Sequence, residues 1–94
     1  MITTIVASPL KNKKYRAVFS DNSKIDFGLA GSQTYLDHHD KIKRDNYRKR
    51  HLGNTREKYL INNRIPSPAL LSFYLLWGEY TALDKNVAVL NRLL

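Results

Sequence analysis

The chain of 94 residues contains no cysteine, only four glycines and three prolines, and half as many acidic as basic side chains. Without cysteine, disulfide-stapled scaffolds, thiolate zinc sites, iron–sulfur clusters and cysteine nucleophiles are excluded. The most apolar run, residues 70–77, is only eight residues long, whereas a membrane-spanning helix needs about 20. The first residues also lack a basic leader followed by an apolar stretch, so we expect a protein that stays on the cytoplasmic side of membranes.

Motifs that mark common enzymes are absent as well. There is no Gly-x-Ser-x-Gly nucleophile elbow and no glycine pattern for binding phosphates or dinucleotides. His38, His39 and His51 do not have the i, i+3 or i, i+4 spacing that helical metal ligands use. We therefore predict no catalytic residue, no metal, no cofactor and no enzymatic activity. A small enzyme whose carboxylates and histidine converge only in the fold stays open as a third alternative.

Residues 1–28 have the pattern of β-strands. Tyr15, Ala17 and Phe19 fall on one face of an extended segment and alternate with residues on the other face. The alternation returns in residues 24–27, after a turn rich in Ser, Asp and Asn. The pattern predicts an antiparallel β-hairpin, or a three-stranded sheet if the opening segment adds a strand.

The last thirty residues have the pattern of two helices. Ser67 followed by proline predicts a helix over Pro68–Trp77, and that helix is apolar on nearly all sides. Thr81, with Asp84 three positions later, predicts the cap of a final helix. The apolar stripe of that helix consists of Leu83, Val87, Leu90 and Leu94. Because a two-stranded sheet looks too small to cover this apolar surface alone, we expect either an efficient enclosure by the fold or a second subunit.

The middle of the chain carries most of its positive charge. Residues 41–58 contain eight basic and two acidic side chains, a local charge of +6 out of +8 for the whole chain. Asp37 or Asp40 is the predicted start of a helix that ends near His51. Lysine and arginine neutralise phosphates and interleaved tyrosines stack on bases, which is typical of nucleic-acid binding. The residues of this predicted contact are Lys41, Lys43, Arg44, Arg48, Lys49, Arg50, Arg56 and Lys58. A solvated face, or a face that meets an acidic protein, would have the same pattern.

These three parts predict one small α+β domain over residues 1–94. Its N-terminal antiparallel β-hairpin or three-stranded sheet is followed by a basic helix and a C-terminal helical hairpin that packs on the sheet.

An ordered set of short motifs runs through the first half of the chain: Tyr15-Arg-Ala-Val-Phe-Ser-Asp21, Asp26-Phe-Gly28, and Arg44-x-x-Tyr-x-x-Arg-His51. This set resembles a family of short uncharacterised proteins of nucleocytoplasmic large DNA viruses, of the chlorella virus and giant algal virus type. The similarity covers residues 13–94, with an irregular gap around 53–64. The resemblance implies a viral origin and a place in the particle as a minor capsid protein.

The chain is also rich in tyrosine and arginine, which dominate the energetics of protein interfaces. Together with the resemblance, these side chains predict a non-enzymatic minor capsid or virion component that bridges larger capsid proteins. Such a protein would be located in the virion capsid, or otherwise in the host cytoplasm. Its partners would be other capsid proteins, major or minor, with nucleic acid or an anionic membrane surface as further partners. The residues predicted to contact partners are Arg44, Tyr47, Arg50, His51, Tyr74, Trp77 and Tyr80. The alternative is a basic accessory protein that binds nucleic acid without sequence specificity.

Overall fold

The N-terminal third of the chain forms an antiparallel sheet of three strands. A computed structural model describes all 94 residues and places β1 at Ile2–Ala7, β2 at Lys13–Phe19 and β3 at Lys24–Leu29. The strands lie in the order β1-β2-β3, with β2 in the centre. The opening segment is therefore a strand, and the three-stranded form of the prediction is confirmed.

The register of the sheet separates an apolar face from a polar face. Tyr15 lies opposite Phe27, and Ala17 and Phe27 are fully buried beneath the helices. On the other face Arg16 lies opposite Asp26, with 3.0 Å between Nε and Oδ1. The predicted alternation is confirmed, because side chains two residues apart in a strand share a face.

The remainder of the chain forms helices joined by loops, which gives the predicted α+β arrangement. The helices are α1 (Tyr35–His38), α2 (Lys41–Gly53), α3 (Thr55–Asn62), α4 (Pro68–Leu71) and α5 (Leu83–Leu93), with a π-helical segment (Ser72–Leu76) directly after α4. The longest of them, α2, has 13 residues and is largely polar. None of the helices combines the length and the apolar character that crossing a bilayer requires.

Two predicted helix starts are confirmed by their caps. The Asp40 carboxylate accepts hydrogen bonds from the backbone N–H groups of Ile42 and Lys43, so α2 starts after Asp40 rather than Asp37. The Ser67 hydroxyl accepts the N–H of Leu70 at 3.2 Å and begins α4, as predicted. Side-chain caps of this kind satisfy N–H groups that have no partner within the helix.

The predicted cap of the last helix is wrong. α5 begins at Leu83, and its flanking residue Ala82 has no side-chain cap. The Asn86 side chain instead donates to the Tyr80 carbonyl oxygen at 2.8 Å and accepts from the Tyr80 N–H at 3.0 Å. These bonds tie the preceding loop to the second turn of α5, which leaves Thr81 outside the helix.

The apolar C-terminal segment is enclosed by its own chain. Leu70, Leu71 and Leu75 are fully buried and Phe73 is 6% exposed. One core cluster joins this segment to the inner face of the sheet and to Leu90 of α5. Of the two expected covers for this surface, enclosure by the fold and a second subunit, the structure shows the first, with a third strand added to the sheet.

Candidate functional site

The basic helix α2 contacts the rest of the protein through one stripe of unusual composition. Arg44, Tyr47, Arg48 and His51 are its half-buried members, and they follow the i, i+3, i+4, i+7 spacing of one helix face. The aliphatic residue Ile42, by contrast, is 73% exposed. α2 therefore lies on the body through cationic and aromatic side chains, and no residue of it is fully buried.

The centre of this contact is a stack of two rings with a histidine on each side. Tyr47 lies parallel to Trp77, with ring centroids 4.1 Å apart and an interplanar angle of 11°. His38 contacts Trp77 at a centroid distance of 5.3 Å, and His51 contacts Tyr47 at 4.0 Å. Burial in this stack raises the pKa of the Tyr47 hydroxyl above 10.0, and the Glu57 charge raises it further.

Two arginines of α2 lie over aromatic rings of the body. The Arg44 guanidinium carbon is 4.9 Å from the centre of the Tyr35 ring, and its Nε pairs with Asp45 at 3.0 Å. The guanidinium carbon of Arg48 is 4.3 Å from the centre of the Phe73 ring. Burial there lowers the pKa of Arg48 from its usual range, and the nearby Arg44 charge lowers it further. Both arginines are thus engaged within the molecule by cation–π contacts.

A histidine on each side of the stack fixes the neighbouring helices. Nδ1 of His51 lies 2.6 Å from Oε2 of Glu57, which joins α2 to α3. This contact does not have the geometry of an aligned hydrogen bond. Nδ1 of His38 accepts the Asp40 N–H at 3.0 Å. The neutral His38 ring then carries its proton on Nε2, which is enclosed without an acceptor.

The outward side of α2 and α3 carries the remaining positive charge. Six of the eight cations predicted to contact nucleic acid are exposed, and none of them takes part in an ion pair. We call this set the basic face: Lys41, Lys43, Lys49, Arg50, Arg56 and Lys58. A groove of about 570 Å³ lies within it, lined by Lys43, Asn46, Lys49, Arg50 and Trp77.

The residues predicted to contact protein partners are divided between the interior and the surface. Arg44, Tyr47 and His51 form the stripe that holds α2 to the body, together with Trp77. Of the other predicted contacts, Arg50 and Tyr80 are exposed and Tyr74 is half-buried. The Tyr74 ring contacts Phe73 edge-on at 5.2 Å. The structure therefore brings Tyr47 and Arg50 to Trp77, and His51 to Tyr47. Arg44 lies over Tyr35 instead, and Tyr80 lies in the loop before α5.

Sequence reasoning missed α3 and with it the Glu57 partner of His51. The signal is present in the chain: Asn54 accepts the N–H of Glu57 at 3.1 Å, the asparagine and glutamate three residues apart that often start a helix. Sequence reasoning also missed Asn46, which lines the groove, because the predicted contact was built from charged residues and asparagine is neutral. No three histidine, aspartate or glutamate side chains converge into a set that could hold a metal ion.

Comparisons with known proteins give one match. No curated protein and no solved structure matches the chain. A family model matches residues 3–51, which span the sheet, α1 and α2 as far as His51. The matched segment contains the whole inward stripe of α2 but ends before α3 and Trp77. Because the match covers just over half of the chain, the protein belongs to this family, the Family of unknown function DUF5754.

Proposed function

We propose that this protein is a non-enzymatic binding protein whose partner is nucleic acid, held through its phosphates without sequence specificity. The observation that supports the proposal is the basic face: six exposed cations on two consecutive helices, none paired with a carboxylate. Unpaired surface cations repel one another, so such a set favours a partner that supplies negative charge.

The packing of α2 supports the same proposal. Arg44 and Arg48 anchor the helix to aromatic rings, so the cations that point outward are presented by a docked helix of about 20 Å. Duplex DNA carries one negative charge per about 1.7 Å of axis. A helix of this length therefore meets many phosphates at once, which favours a continuous polyanion over a single acidic side chain.

The apolar surface gives less support to a membrane partner. Helices that lie in a membrane interface insert an apolar face between the headgroups. α2 turns its stripe to the protein, and its exposed apolar side chains, Ile42 and Leu52, are ten residues apart, about 15 Å along the axis. Isolated apolar residues at that separation do not form an insertion face.

The test is a binding titration with a fluorescent 24-base-pair duplex of arbitrary sequence, followed by anisotropy at several salt concentrations. If all six cations of the basic face contact phosphates, the slope of log affinity against log salt will be about −5. The triple variant Lys43→Gln, Lys49→Gln, Arg50→Gln should lower the magnitude of that slope by about 2.7, since each phosphate contact contributes about 0.9.

A matched control keeps the net charge change but moves it elsewhere. The control variant neutralises three exposed lysines outside the basic face: Lys11→Gln, Lys24→Gln and Lys85→Gln. It should keep at least two-thirds of the wild-type slope. Equal losses in the two triple variants, or no duplex binding at 50 mM salt, would contradict the proposal. Binding to anionic phospholipid vesicles in the absence of duplex binding would replace nucleic acid by a membrane surface.

A second candidate function is the structural role in a virion, as a minor capsid protein that bridges larger capsid proteins. The observation that favours it is the outer edge of β1, which carries no charged side chain and leaves Val6 45% exposed. The Asn91 side chain covers this edge at Ile2, where it bonds the backbone N–H and carbonyl oxygen. An unpaired strand edge accepts a strand from a neighbouring chain. Mass spectrometry of washed virus particles tests this role, and absence of the chain from them would contradict it.

A further inference from the structure

The two stacked rings beside the basic face, Tyr47 and Trp77, are contacted by other rings of the protein. Trp77 is covered by Tyr47 on one side at 4.1 Å and contacted by His38 at 5.3 Å. Tyr47 in turn is contacted by His51 at 4.0 Å. Proteins that hold single strands stack successive bases on exposed aromatic rings. The aromatic residues of this site are instead used to hold α2 in place.

One aromatic ring near the basic face is exposed. Tyr59 of α3 is 61% exposed and has no ring or cation against it. Tyr80, which is 42% exposed, lies outside α2 and α3 and has the Lys85 amine 5.8 Å from its ring centre. One free ring holds one base, which is too few for binding a single strand by stacking along its length.

The groove on the basic face is lined by hydrogen-bond donors. Lys43, Lys49 and Arg50 are donors only, and the Asn46 amide adds two neutral N–H groups. Phosphate oxygens accept hydrogen bonds and carry charge, so this lining suits the backbone of a nucleic acid better than the edges of its bases. Lys43 and Arg50 are seven residues apart, about 10 Å along α2, which corresponds to roughly three base-pair steps of 3.4 Å.

We infer that the nucleic acid is bound as a duplex, with phosphates of one strand in the groove between α2 and Trp77 and with no base stacked on the protein. This inference rests on the proposed function and specifies its substrate class. A duplex presents its phosphates in a fixed array and keeps its bases stacked on one another, so it needs donors and no aromatic platform.

The test compares a 24-base-pair duplex with a single strand of the same length and sequence at 100 mM salt, with the full chain and the same anisotropy assay. We expect the duplex to bind at least tenfold more tightly. The only tryptophan, Trp77, reports stacking directly, because a base stacked on its ring would quench its emission. We expect its emission to change by less than a fifth on saturation with either nucleic acid.

One matched pair of variants separates the groove from general charge, and a third variant tests the exposed ring. Asn46→Asp adds one negative charge inside the groove and should weaken duplex binding about tenfold. Asn12→Asp adds the same charge at an exposed position near the sheet and should weaken it less than threefold. Tyr59→Ala should leave duplex affinity within twofold of wild type.

The outcomes distinguish this inference from the proposed function. Single-strand affinity equal to or above duplex affinity, with strong quenching of Trp77, would overturn the inference while nucleic-acid binding stands. Equal effects of Asn46→Asp and Asn12→Asp would overturn the assignment of the groove. Failure of both nucleic acids to bind would refute the proposed function itself, and the inference with it.

Discussion

The Asn86 side chain is the most highly bonded buried amide in the structure, and its removal should be costly. It is 1% exposed and donates to the Leu75 carbonyl oxygen at 3.0 Å and to the Tyr80 carbonyl oxygen at 2.8 Å. Its own oxygen accepts the Tyr80 N–H at 3.0 Å. The amide thus joins α5 to the end of the π-helical segment and to the loop between them.

The substitution Asn86→Ala should lower the free energy of unfolding by about 3 kcal/mol. The buried Leu75 oxygen loses this donor, which costs about 1–3 kcal/mol, and the two bonds to the more exposed Tyr80 contribute about 0.5–1.5 kcal/mol each. Alanine recovers roughly 0.5 kcal/mol through its higher helix propensity. Chains of this length are stable by about 5–14 kcal/mol, so the variant should fold but unfold at a clearly lower urea concentration.

The assay is urea unfolding followed by Trp77 fluorescence and by circular dichroism at 222 nm, with both signals fitted to a two-state transition. Asn46→Ala is the control, because it replaces an exposed asparagine in the middle of a helix and gains the same propensity. The control should be as stable as wild type or slightly more stable. If Asn86→Ala lies within 1 kcal/mol of the control, the three hydrogen bonds do not hold the helical hairpin together and the reasoning is wrong.

Three further perturbations follow from the packing and the charges. A Cβ on Gly78 would collide with the Tyr74 carbonyl oxygen, so Gly78→Ala should lower the free energy of unfolding, measured by thermal unfolding, by about 1–3 kcal/mol. Gly53→Ala, at an open position, should not lower it. Hydrogen bonds hold the pKa of Asp26 below 3.8, so its contribution to stability is present above that pH and is lost as the pH falls through the lower folded-state pKa. The difference in urea midpoint between wild type and Asp26→Asn should therefore be visible at pH 5.5 and shrink as the pH falls below 3.8. A difference that stays constant would contradict this. Tyr47→Ala should lower the free energy of unfolding by about 2 kcal/mol, shift the Trp77 emission to the red and speed amide exchange in α2. Tyr47→Phe should keep the stability, the emission and the exchange rate near wild type.

The sheet and the helix starts could be predicted because their signals are local. Alternation in residues 15–19 and 24–27 fixes which side chains share a face, since the period of a strand is two. Asp40 and Ser67 cap helices with bonds to N–H groups two or three residues away. The same kind of signal at Asn54 marks α3, which was overlooked although it needed no tertiary information.

The last helix start depended on a contact that is not local to its cap. Thr81 and Asp84 have the spacing of a capping box, yet α5 begins at Leu83. Asn86 binds both Tyr80 peptide groups and the Leu75 oxygen, eleven residues back along the chain. The three hydrogen bonds of the buried Asn86 amide stabilise this helix start more than a surface cap at Thr81 would. The residues around Thr81 carry no pattern from which these bonds could be predicted.

The amount and the place of the positive charge follow from the sequence, because charge is a sum over residues and 41–58 carries most of it. Which cations are available to a partner was decided by the tertiary structure. Arg48 lies over the ring of Phe73, 25 positions later in the chain, and Tyr47 stacks on Trp77, 30 positions later. Only packing brings such distant residues together, so only packing separates the two arginines that hold the helix from the six cations left outside.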